Sequence, residues 1–335
     1  MARPLLLHTE DSAYLAQEVH DLLGAKKHAD IDHFEDIYFP SGEYKPEAPH
    51  VRGRHVYIFH SPVIKGGNFP GYNPDSFYVH AAFLDDAVRR SILPGDCFIG
   101  HVAPHMPYQR QERQAQPRTP ISTRRLMQLF YMPPHVGTLL ITFDMHADAI
   151  AGQADFQIDQ LYASSLLLGD LKNRNDVVLV APDVGAAKRV RHVSKKLFGH
   201  KKIVIIDKDR PADSEVEVAH VVGPELVKGN VAYMFDDMID TGGTIVEGAN
   251  ALREAGATDV YAACTHPIFS VKDGLEAEER LRKAKIKTVV TNTIYRDDGY
   301  LQRNKDWLTV VSVADKIARA IDTMERGESV SNVSY

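Results

Sequence analysis

The segment FDDMIDTGGTIVEGA, residues 235–249, places carboxylates next to a run of small residues. An apolar stretch at 230–235 precedes the acids, and a helical pattern with Ile245, Ala249 and Leu252 on one face follows. Asp236 to Thr244 is therefore predicted to be a loop from the carboxyl end of a strand into a helix, the edge at which open α/β sheets bind ligands. The residues that could contact a ligand there are Asp236, Asp237, Asp240, Thr241, Gly242, Gly243 and Thr244.

These residue types suit two parts of one ligand. Backbone N–H groups turned inward by the two glycines, two threonine hydroxyls and a helix N-terminus together make a site for an anion such as phosphate. Carboxylates at the strand end can accept hydrogen bonds from neutral hydroxyl groups. The combination predicts a sugar phosphate, with its diol on the acids and its phosphate on the loop. The alternative is a capped helix after an aspartate-rich turn, but the two consecutive acids at a strand end favour a site.

The rest of the chain alternates between apolar strand-like runs and helical patterns. Strands are predicted at 4–8, 55–61, 96–102, 137–143, 176–182, 202–207, 230–235, 259–265 and 287–293, and helices near 11–24, 76–92, 121–132, 185–198, 244–255, 273–284 and 312–325. Repeated β–α units predict parallel sheets covered by helices on both faces. There are enough units for two sheets of about five strands each, with a boundary near 160–172. The polar tail 325–335 is predicted to fray.

The composition sets the class of protein. The chain has 335 residues, of which 44% are hydrophobic and 25% charged, and a net charge of −6, which argues against nucleic acid as a general partner. Cys97 and Cys264 are the two cysteines and form no CxxC motif, so neither a disulfide framework nor a zinc ribbon is indicated. No run of 18 apolar residues and no signal-peptide pattern occurs, so the sequence predicts no membrane partner and a cytoplasmic location.

Several motifs together resemble one family. DDMIDTGGT looks like the ribose-phosphate loop of type I phosphoribosyltransferase folds, and further stretches are similar to those of ribose-phosphate diphosphokinases, also called phosphoribosyl pyrophosphate synthetases. These stretches are FPSGE (39–43), VRGRHVYIFHS (51–61), RQER (110–113), RTPIS (118–122), DMHA (144–147), PDVG (182–185), DKDRP (207–211) and THPIFS (265–270). They follow the family's order over nearly the whole chain and are most specific in its C-terminal half.

The resemblance implies a fold and a reaction. The fold is α/β, with two phosphoribosyltransferase-like domains related by pseudo-symmetry, each a mainly parallel sheet flanked by helices, and with the active site between them. The expected N-terminal domain is 1–163, completed by a C-terminal helix at 305–328, and the expected C-terminal domain is 164–304. The implied reaction transfers the β,γ-diphosphoryl group of ATP to the C1 hydroxyl of ribose 5-phosphate, and AMP leaves.

Lys208 and Arg210 match the family's catalytic K-x-R-P segment. By this resemblance they would bind the diphosphoryl oxygens while negative charge moves to the departing AMP. Without it, a pair of solvated charges on a surface loop would be the preferred interpretation. The segment DKDRPADSEVE (207–217) is polar and is predicted to be a mobile loop that closes to exclude water.

His146 and Asp183 match positions that the family associates with a metal, and the implied cofactor is Mg²⁺. Magnesium prefers oxygen ligands and keeps several waters, so Asp183 is a natural ligand, directly or through water. His146 is chemically less obvious and could contact phosphate instead. Because the chain has 16 histidines, the assignment of His146 rests on the D-x-H match alone.

The ATP side is carried by two segments of the N-terminal half. The segment 107–125 contains five arginines, which without context would indicate a solvated basic loop. By resemblance, Arg110 and Gln111 would contact ATP with Glu112 nearby. Phe39 and Glu43 would close on the adenine, often from a neighbouring subunit, which implies a homo-oligomer, a dimer or a hexamer. No G-x-x-x-x-G-K-[ST] motif occurs, so a P-loop ATPase is not indicated.

The sequence departs from the family's pattern at three places. Ser41 stands where the family usually has an acid or an amide, the aromatic pair after the D-x-H segment is missing, and 63–76 is longer and richer in glycine and proline. Two alternatives therefore stay open. One is a regulatory paralogue without activity, against which the intact Lys208 and Arg210 argue. The other is a diphosphokinase for a different ribose 5-phosphoryl compound such as ADP-ribose.

Overall fold

The structure, a computed structural model, describes residues 3–24, 29–62, 74–92, 98–130, 137–209 and 218–334. The chain divides into two compact units. The first contains Met1–Tyr162, Thr293–Arg296 and Ser312–Tyr335, and the second contains Ala163–Asn292 and Asp297–Val311. The catalytic candidate Arg210 and most of the glycine-rich stretch 63–76 lie outside the described residues.

The first unit is built on a parallel six-stranded sheet. Its strands and its helices before residue 163 are β1 Leu5–His8, β2 Asp30–His33, β3 Glu35–Tyr38, β4 Tyr44–Glu47, β5 Val56–Phe59, β6 Phe98–Val102, β7 Gly137–Phe143, β8 Gln157–Leu161, α1 Ala13–Gly24, α2 Pro74–Arg89 and α3 Ser122–Met127. The sheet order is β2-β1-β5-β6-β7-β8, and β3 and β4 form a separate antiparallel hairpin. Phe59 pairs with Val102, and Val102 pairs with Ile141, so the segments that follow β5, β6 and β7 emerge at one edge.

The second unit is built on a seven-stranded sheet. Its elements are α4 Ser164–Leu168, β9 Val177–Ala181, α5 Ala187–Phe198, β10 Ile203–Asp209, β11 Val218–Val222, β12 Val231–Ile239, α6 Gly243–Glu254, β13 Asp259–Pro267, β14 Val271–Lys272, β15 Leu275–Glu276, α7 Ala277–Lys283, β16 Lys287–Thr291, α8 Asp298–Asn304 and β17 Leu308–Val311. The order is β11-β10-β9-β12-β13-β16-β17, and only the edge strand β11 runs antiparallel to its neighbour. The loops after β9, β10 and β12 therefore share the carboxyl edge, where ligands of such sheets bind.

Buried apolar side chains hold each unit together. In the second, Val180, Met234 and Val260 from three neighbouring strands pack with Ala249 and Leu252 from α6. In the first, Val56 and Ile58 pack with Leu84 and Val88 from α2. Strands covered on both faces read as continuous apolar runs, which is why the sequence pattern located β5, β7 and β9 well.

The C-terminal segment behaves differently from the sequence prediction. The helix predicted near 312–325 is α9, Ala314–Glu325, and it belongs to the first unit; the wider range 305–328, expected to complete that unit, also contains β17, which belongs to the second sheet. The tail was predicted to fray, and this is wrong. Val330 and Val333 are buried, and the N–H of Tyr162 donates to the carbonyl of Ser334 at 2.8 Å. The tail is thus packed on the first unit, because two valines in a polar sequence supply enough apolar surface to anchor it.

Candidate functional site

The glycine-threonine segment begins a helix, but the preceding strand is longer than predicted. Asp236 and Asp237 were predicted to lie in a loop; they lie within β12, where Asp236 pairs with Cys264 of β13. The connection shortens to residues 240–242, and α6 begins at Gly243. The strand continues because its neighbour β13 runs to Pro267 and supplies ladder partners as far as Ile239.

Gly242 is the residue that shapes the turn. Its φ is +76°, a left-handed conformation that glycine adopts without steric cost. The carbonyl of Gly242 accepts from Val246 at 3.0 Å, which starts the helix, and the carbonyl of Asp240 accepts from Ser270 at 2.9 Å, which fixes the turn from the other side. The backbone N–H groups of the first turn of α6 have no partner within the helix and carry the positive end of its dipole. This end of α6 is suited to bind a phosphate.

The two strand acids share one arginine. The Nη1 of Arg189, on α5, donates to Asp236 Oδ1 at 2.8 Å and to Asp237 Oδ1 at 2.9 Å. The backbone N–H of Asp237 also donates to Asp236 Oδ1 at 2.9 Å. A single guanidinium thus fixes both carboxyl groups and compensates part of their mutual repulsion.

The surroundings of Asp236 shift its pKa upward. Burial raises the pKa of Asp236 well above its ordinary value, and the negative charge of Asp237 raises it further. Arg189 lowers this pKa, while Asp183 raises it again. A hydrogen-bond donor or a positive charge beside Asp236 would therefore stabilise its ionised carboxylate.

Asp183 follows β9 and precedes α5 at the same edge of the sheet. Its Oδ1 accepts from the backbone N–H of Ala186 at 2.8 Å, which holds the carboxyl group at the start of α5. The side chain is half-buried. A carboxylate oriented in this way has a second oxygen available, and carboxylate oxygen is the ligand that Mg²⁺ prefers.

Lys208 lies on β10, the neighbour of β9. The strand was predicted to end at 207 and extends to Asp209, with Lys208 paired to Ala219 of β11. The side chain of Lys208 and the whole of Arg210 lie outside what the structure describes. The backbone position places Lys208 at the carboxyl end of β10, the edge that also carries Asp183 and the loop before α6.

In the first unit, the segment after β6 contacts the segment after β7. Gln109 is buried, and its Oε1 accepts from the backbone N–H of His146 at 2.9 Å. Gln153 Nε2 donates to the carbonyl of Glu112 at 2.6 Å. Two glutamine side chains therefore tie the predicted ATP segment to the predicted metal-associated segment, so that Glu112 and His146 are held within one edge of this sheet.

The side chains predicted to bind ATP are accessible. Arg110 and Gln111 are exposed, and Glu112 is half-buried. Gln111 Oε1 accepts from the hydroxyl of Ser122 at 2.6 Å, at the start of α3. Tyr108, directly before these residues, has a φ of +67°, a left-handed conformation that is uncommon outside glycine. Its carbonyl accepts from Thr123 Oγ1 at 2.7 Å, which helps to hold that conformation.

Phe39 and Glu43 lie at the tip of the β3–β4 hairpin. The N–H of Phe39 donates to the carbonyl of Glu43 at 2.9 Å, and the N–H of Gly42 donates to the carbonyl of Phe39 at 2.8 Å. Phe39 is 46% exposed. Ser41, where the family's pattern differs, donates its hydroxyl to Glu43 Oε2 at 2.7 Å. The hairpin thus presents an aromatic ring to the outside of its own unit.

Within the described ranges, no group of three or more His, Cys, Asp and Glu side chains is arranged to hold a metal ion. His146 belongs to the first unit and Asp183 to the second. Over the same described part of the chain, none of the helices is both long and apolar enough to cross a bilayer.

Sequence reasoning missed two residues that the structure places in these sites. Arg189 contacts both acids from α5, six positions after Asp183, so the strand motif did not point to it. Gln109 precedes the predicted ATP residues by one position, and the family resemblance assigned it no role. The sequence could have pointed to Arg189 through its position. It lies in the first turn of the helix that follows Asp183, and this turn is near the same edge of the sheet.

Comparison with known proteins agrees with this architecture. A sequence-family model, the N-terminal domain of ribose phosphate pyrophosphokinase, matches residues 5–132. A second family model, the phosphoribosyl synthetase-associated domain, matches residues 207–334. A ribose-phosphate pyrophosphokinase of Fusobacterium nucleatum is 34% identical over 315 residues, covering 91% of this chain and 89% of that protein. The corresponding protein of Listeria ivanovii is 36% identical over 326 residues, covering 95% and 92%.

A solved structure extends the likeness to three dimensions. The crystal structure of phosphoribosylpyrophosphate synthetase from Mycobacterium smegmatis has a TM-score of 0.79 and 27% sequence identity, and the match covers 97% of this chain and 100% of that one. The two mainly parallel sheets, with a glycine-threonine loop at the end of one strand, define a protein of the phosphoribosyltransferase-like α/β class. Within that class, the chain belongs to the ribose-phosphate pyrophosphokinase family.

Proposed function

We propose that this protein transfers the β,γ-diphosphoryl group of ATP to the C1 hydroxyl of ribose 5-phosphate. The products are phosphoribosyl pyrophosphate and AMP. The observation that carries the proposal is the pair Asp236 and Asp237, fixed by Arg189, on the strand that leads into the turn before α6. The names of the relatives agree with it and do not favour either alternative, the regulatory paralogue or the ADP-ribose enzyme.

The second unit holds the sugar phosphate in this proposal. The 5-phosphate accepts hydrogen bonds from the backbone N–H groups at the start of α6 and from the hydroxyls of Thr241 and Thr244. The ribose hydroxyls donate to Asp236 and Asp237. Because the surroundings of Asp236 raise its pKa, hydrogen-bond donors are needed to stabilise its ionised carboxylate. The two hydroxyls of a neutral diol supply such donors. Asp240, in the turn, holds the loop against Ser270 through its backbone carbonyl.

The transfer step needs positioning and charge compensation more than covalent help. The C1 oxygen forms a bond to the β-phosphorus, the bond from that phosphorus to the oxygen bridging to the α-phosphate breaks, and the proton of the C1 hydroxyl is lost. AMP departs with the electron pair of the broken bond. Lys208 and Arg210 are proposed to contact the diphosphoryl oxygens in the transition state and to stabilise the charge that develops there.

The first unit holds ATP in this proposal. Arg110 and Gln111 bind the nucleotide, with Glu112 next to them, and Phe39 and Glu43 cover the adenine. The exposed ring of Phe39 suits an aromatic base, and its position at a hairpin tip suits contact with a neighbouring chain. We therefore propose that the protein is a homo-oligomer in which the hairpin of one chain completes the ATP site of another.

Mg²⁺ is proposed as the cofactor. The residues present fit it in part: Asp183 offers a fixed carboxylate, while His146 offers a nitrogen, which Mg²⁺ binds less readily than oxygen. We assign Asp183 as the metal-associated residue of the second unit and His146 as a residue of the ATP side. When bound, the ion supplies charge neutralisation to the phosphate groups.

The reaction products test this proposal directly. The protein is incubated with ATP, Mg²⁺ and ribose 5-phosphate, and AMP, ADP and phosphoribosyl pyrophosphate are separated and quantified. The expected result is AMP and phosphoribosyl pyrophosphate in equal amounts, formed only when ribose 5-phosphate is present. ADP as the nucleotide product, or AMP formed equally well without the sugar, would contradict the proposal. ADP-ribose in place of ribose 5-phosphate is the matched comparison.

A further inference from the structure

A cavity of about 450 Å³ lies on the second unit, away from the acid pair and the glycine-threonine loop. It is open to solvent on one side and is lined by the C-terminal half of α5, the turn into β10, the end of β11 and the segment after it. The volume falls within the range of small-molecule sites. Ile203 lies at the amino end of β10, so this cavity belongs to the opposite end of that strand from Lys208.

The cavity is bordered by positive charge. Arg191, Lys201 and Lys202 line it together with His200, and Glu225 is the one carboxylate among its lining residues. The arginine, the two lysines and the histidine belong to the stretch 188–202, KRVRHVSKKLFGHKK. This stretch has seven lysines and arginines and no acid, in a chain whose net charge is −6. Of these seven, Arg191, Lys201 and Lys202 line the cavity, and cations grouped at a concave surface attract anions.

Two of these cations have no internal role in the structure. Lys201 Nζ donates to the carbonyl of Arg174 at 2.7 Å. By contrast, Arg191 and Lys202 make no hydrogen bond or ion pair with any residue that the structure describes, and both are exposed. Their charges are therefore available to a ligand. Ser194 is buried below them, with its hydroxyl committed to the carbonyl of Lys201 at 2.6 Å, which fixes the turn that presents the two lysines.

The remaining wall of the cavity is apolar. Ile203, Ile205, Val222 and Leu226 line it, and Val222 is 52% exposed. Exposed apolar surface beside unpaired cations fits a ligand that has an anionic group and an apolar body. We propose that this cavity is a binding site for an organic phosphate, with the phosphate on Arg191 and Lys202 and the apolar portion on the isoleucine and valine surface.

The position of the cavity links it to the catalytic segment. Ile205 pairs with Val222 at the cavity, and four residues farther along the same ladder Asp209 pairs with Val218. Between the two strands lies the segment that contains Arg210. A ligand that contacts both Ile205 and Val222 would therefore bind one end of the β10–β11 pair. The other end of this pair carries Lys208. Such a ligand would restrict the motion of the two strands.

Binding is tested with phenyl phosphate, which has one phosphate and one apolar ring, by calorimetric titration of the whole protein. Phenol and inorganic phosphate are the partial probes. We expect phenyl phosphate to bind, inorganic phosphate to bind more weakly by roughly tenfold because it lacks the apolar contact, and phenol not to bind measurably. Arg191→Ala and Lys202→Ala should each weaken binding roughly 2–5-fold, as expected for exposed charges.

Lys195→Ala is the matched control, because Lys195 is an exposed lysine of the same helix that does not line the cavity. It should leave binding unchanged. Hydrogen exchange locates the site: phenyl phosphate should slow exchange at residues 203–206 and 220–222. Protection confined to 240–246 would assign the ligand to the loop before α6 and overturn the proposal, as would equal binding by the wild type and the Arg191→Ala/Lys202→Ala double variant.

The outcome is separable from that of the proposed reaction. Arg191→Ala and Lys202→Ala should keep the wild-type rate of AMP formation without phenyl phosphate, since neither residue is assigned to catalysis or substrate binding. If the protein failed to form AMP, the titration and the exchange pattern would still decide whether this cavity binds an organic phosphate. If it formed AMP but the double variant bound the probe normally, the cavity proposal alone would be wrong.

Discussion

Asp236 is an acid whose surroundings favour its protonated form. Its pKa in the folded protein lies above the ordinary value because of burial and the charge of Asp237. A carboxyl group whose pKa is raised on folding adds stability only when protonated, so its contribution is present at pH values below the unfolded pKa and is lost as the pH rises through the folded pKa. At neutral pH the ionised carboxylate is therefore a cost to stability, which is a common property of binding residues.

We predict that Asp236→Asn raises the free energy of unfolding at pH 7 by roughly 0.5–2 kcal/mol, the range usual for a single stabilising substitution, while it lowers activity. Urea unfolding at pH 7 and pH 5 measures the first effect, and the gain should be smaller at pH 5. Asp306→Asn, at an exposed site, is the control and should change neither quantity. A loss of stability at pH 7 would show that the contact with Arg189 outweighs burial of the charge.

Lys208 and Arg210 are predicted to act on the transition state. Residues that stabilise charge only as it develops lower kcat when removed and change KM little. Lys208→Ala and Arg210→Ala should each lower kcat on the order of 10²–10⁴, by analogy with other electrostatic stabilisers, with little change in Tm. The double variant should lose less than the product, since both residues act on one charge. Steady-state kinetics with Lys305→Ala as control tests this; a normal kcat with a raised KM would make the segment a binding element.

At the scale of single residues, motif and spacing predicted the acid pair as candidate site residues but did not predict its counter-ion. Asp236 and Asp237 stand in one short segment, so one strand and one turn suffice to bring them to the site. Arg189 reaches them across 47 and 48 positions of sequence. That contact depends on how α5 packs beside β12, which no local pattern specifies.

The turn between β12 and α6 is the element expected to bind phosphate. Thr244→Ala removes a hydroxyl at the helix start, and Gly243→Val introduces a branched side chain at its first residue. A lost charge-assisted hydrogen bond costs about 1.5–3 kcal/mol, so the KM for ribose 5-phosphate should rise roughly 10–150-fold. The KM for ATP should change far less. Initial-rate kinetics with each substrate varied in turn measures both, and an equal rise for the two substrates would contradict the assignment.

The C-terminal tail is fastened to α9 by a buried lysine. Lys316 Nζ donates to the carbonyls of Val333 and Ser334, at 3.5 and 3.3 Å. Burial lowers the pKa of Lys316 to about 8, partly opposed by the charge of Asp144. Because the folded protein binds this proton more weakly than the unfolded chain, the charged amine destabilises the fold at pH values below about 8. The penalty falls as the pH rises toward the ordinary lysine value.

We therefore predict different pH profiles for the wild type and Lys316→Met. Between pH 7 and pH 10 the free energy of unfolding of the wild type should rise relative to that of the variant by on the order of 1 kcal/mol, a figure reduced for partial solvent screening. Chemical unfolding at several pH values provides the measurement, and Lys305→Met, at an exposed site, should follow the wild type. Parallel profiles for Lys316→Met and the wild type would rule out a titrating clamp.

At the scale of elements, the sequence located most core strands because continuous apolar runs mark strands covered on both faces. The edge strands β2, β8, β11 and β17 were missed. β2 (DIDH) and β8 (QIDQL) carry polar residues that resemble loops, whereas β11 (VAHVV) and β17 (LTVV) are short apolar runs that the prediction left out. The buried pair His60 and His101 was missed for a related reason. His101 Nδ1 lies 2.9 Å from His60 Nε2, and its other ring nitrogen lies 3.1 Å from Asp85. These polar side chains become buried only when β5, β6 and α2, which are separated in sequence, pack together in the fold.

At the scale of the whole molecule, the residues proposed to bind the two substrates are distributed between the two units. The first unit carries the residues expected to bind ATP, and the second carries those expected to bind the sugar phosphate. Repeated β–α units and chain length were enough to predict two sheets, because each parallel sheet needs its own helices to cover both faces.

We predict a homo-oligomer of at least two chains, in which the hairpin with Phe39 and Glu43 completes a neighbour's ATP site. Light scattering should show an active species larger than one chain, and an active monomer would exclude the arrangement. The hairpin tip exposes Tyr38 and Phe39 at 61% and 46%, an aromatic surface whose burial against a neighbour would be favourable.

Mixing of two inactive variants gives a sharper test. A Lys208→Ala chain keeps an intact hairpin, and a Glu43→Ala chain keeps an intact Lys208. If each site draws these two residues from different chains, a mixed dimer contains one site with both residues and one with neither. Random equal mixing in dimers should then restore about a quarter of the wild-type sites. Mixing after mild dissociation and reassociation, followed by an AMP assay, gives the fraction directly. If both residues serve one site from the same chain, no mixture can contain an intact site and no activity will return.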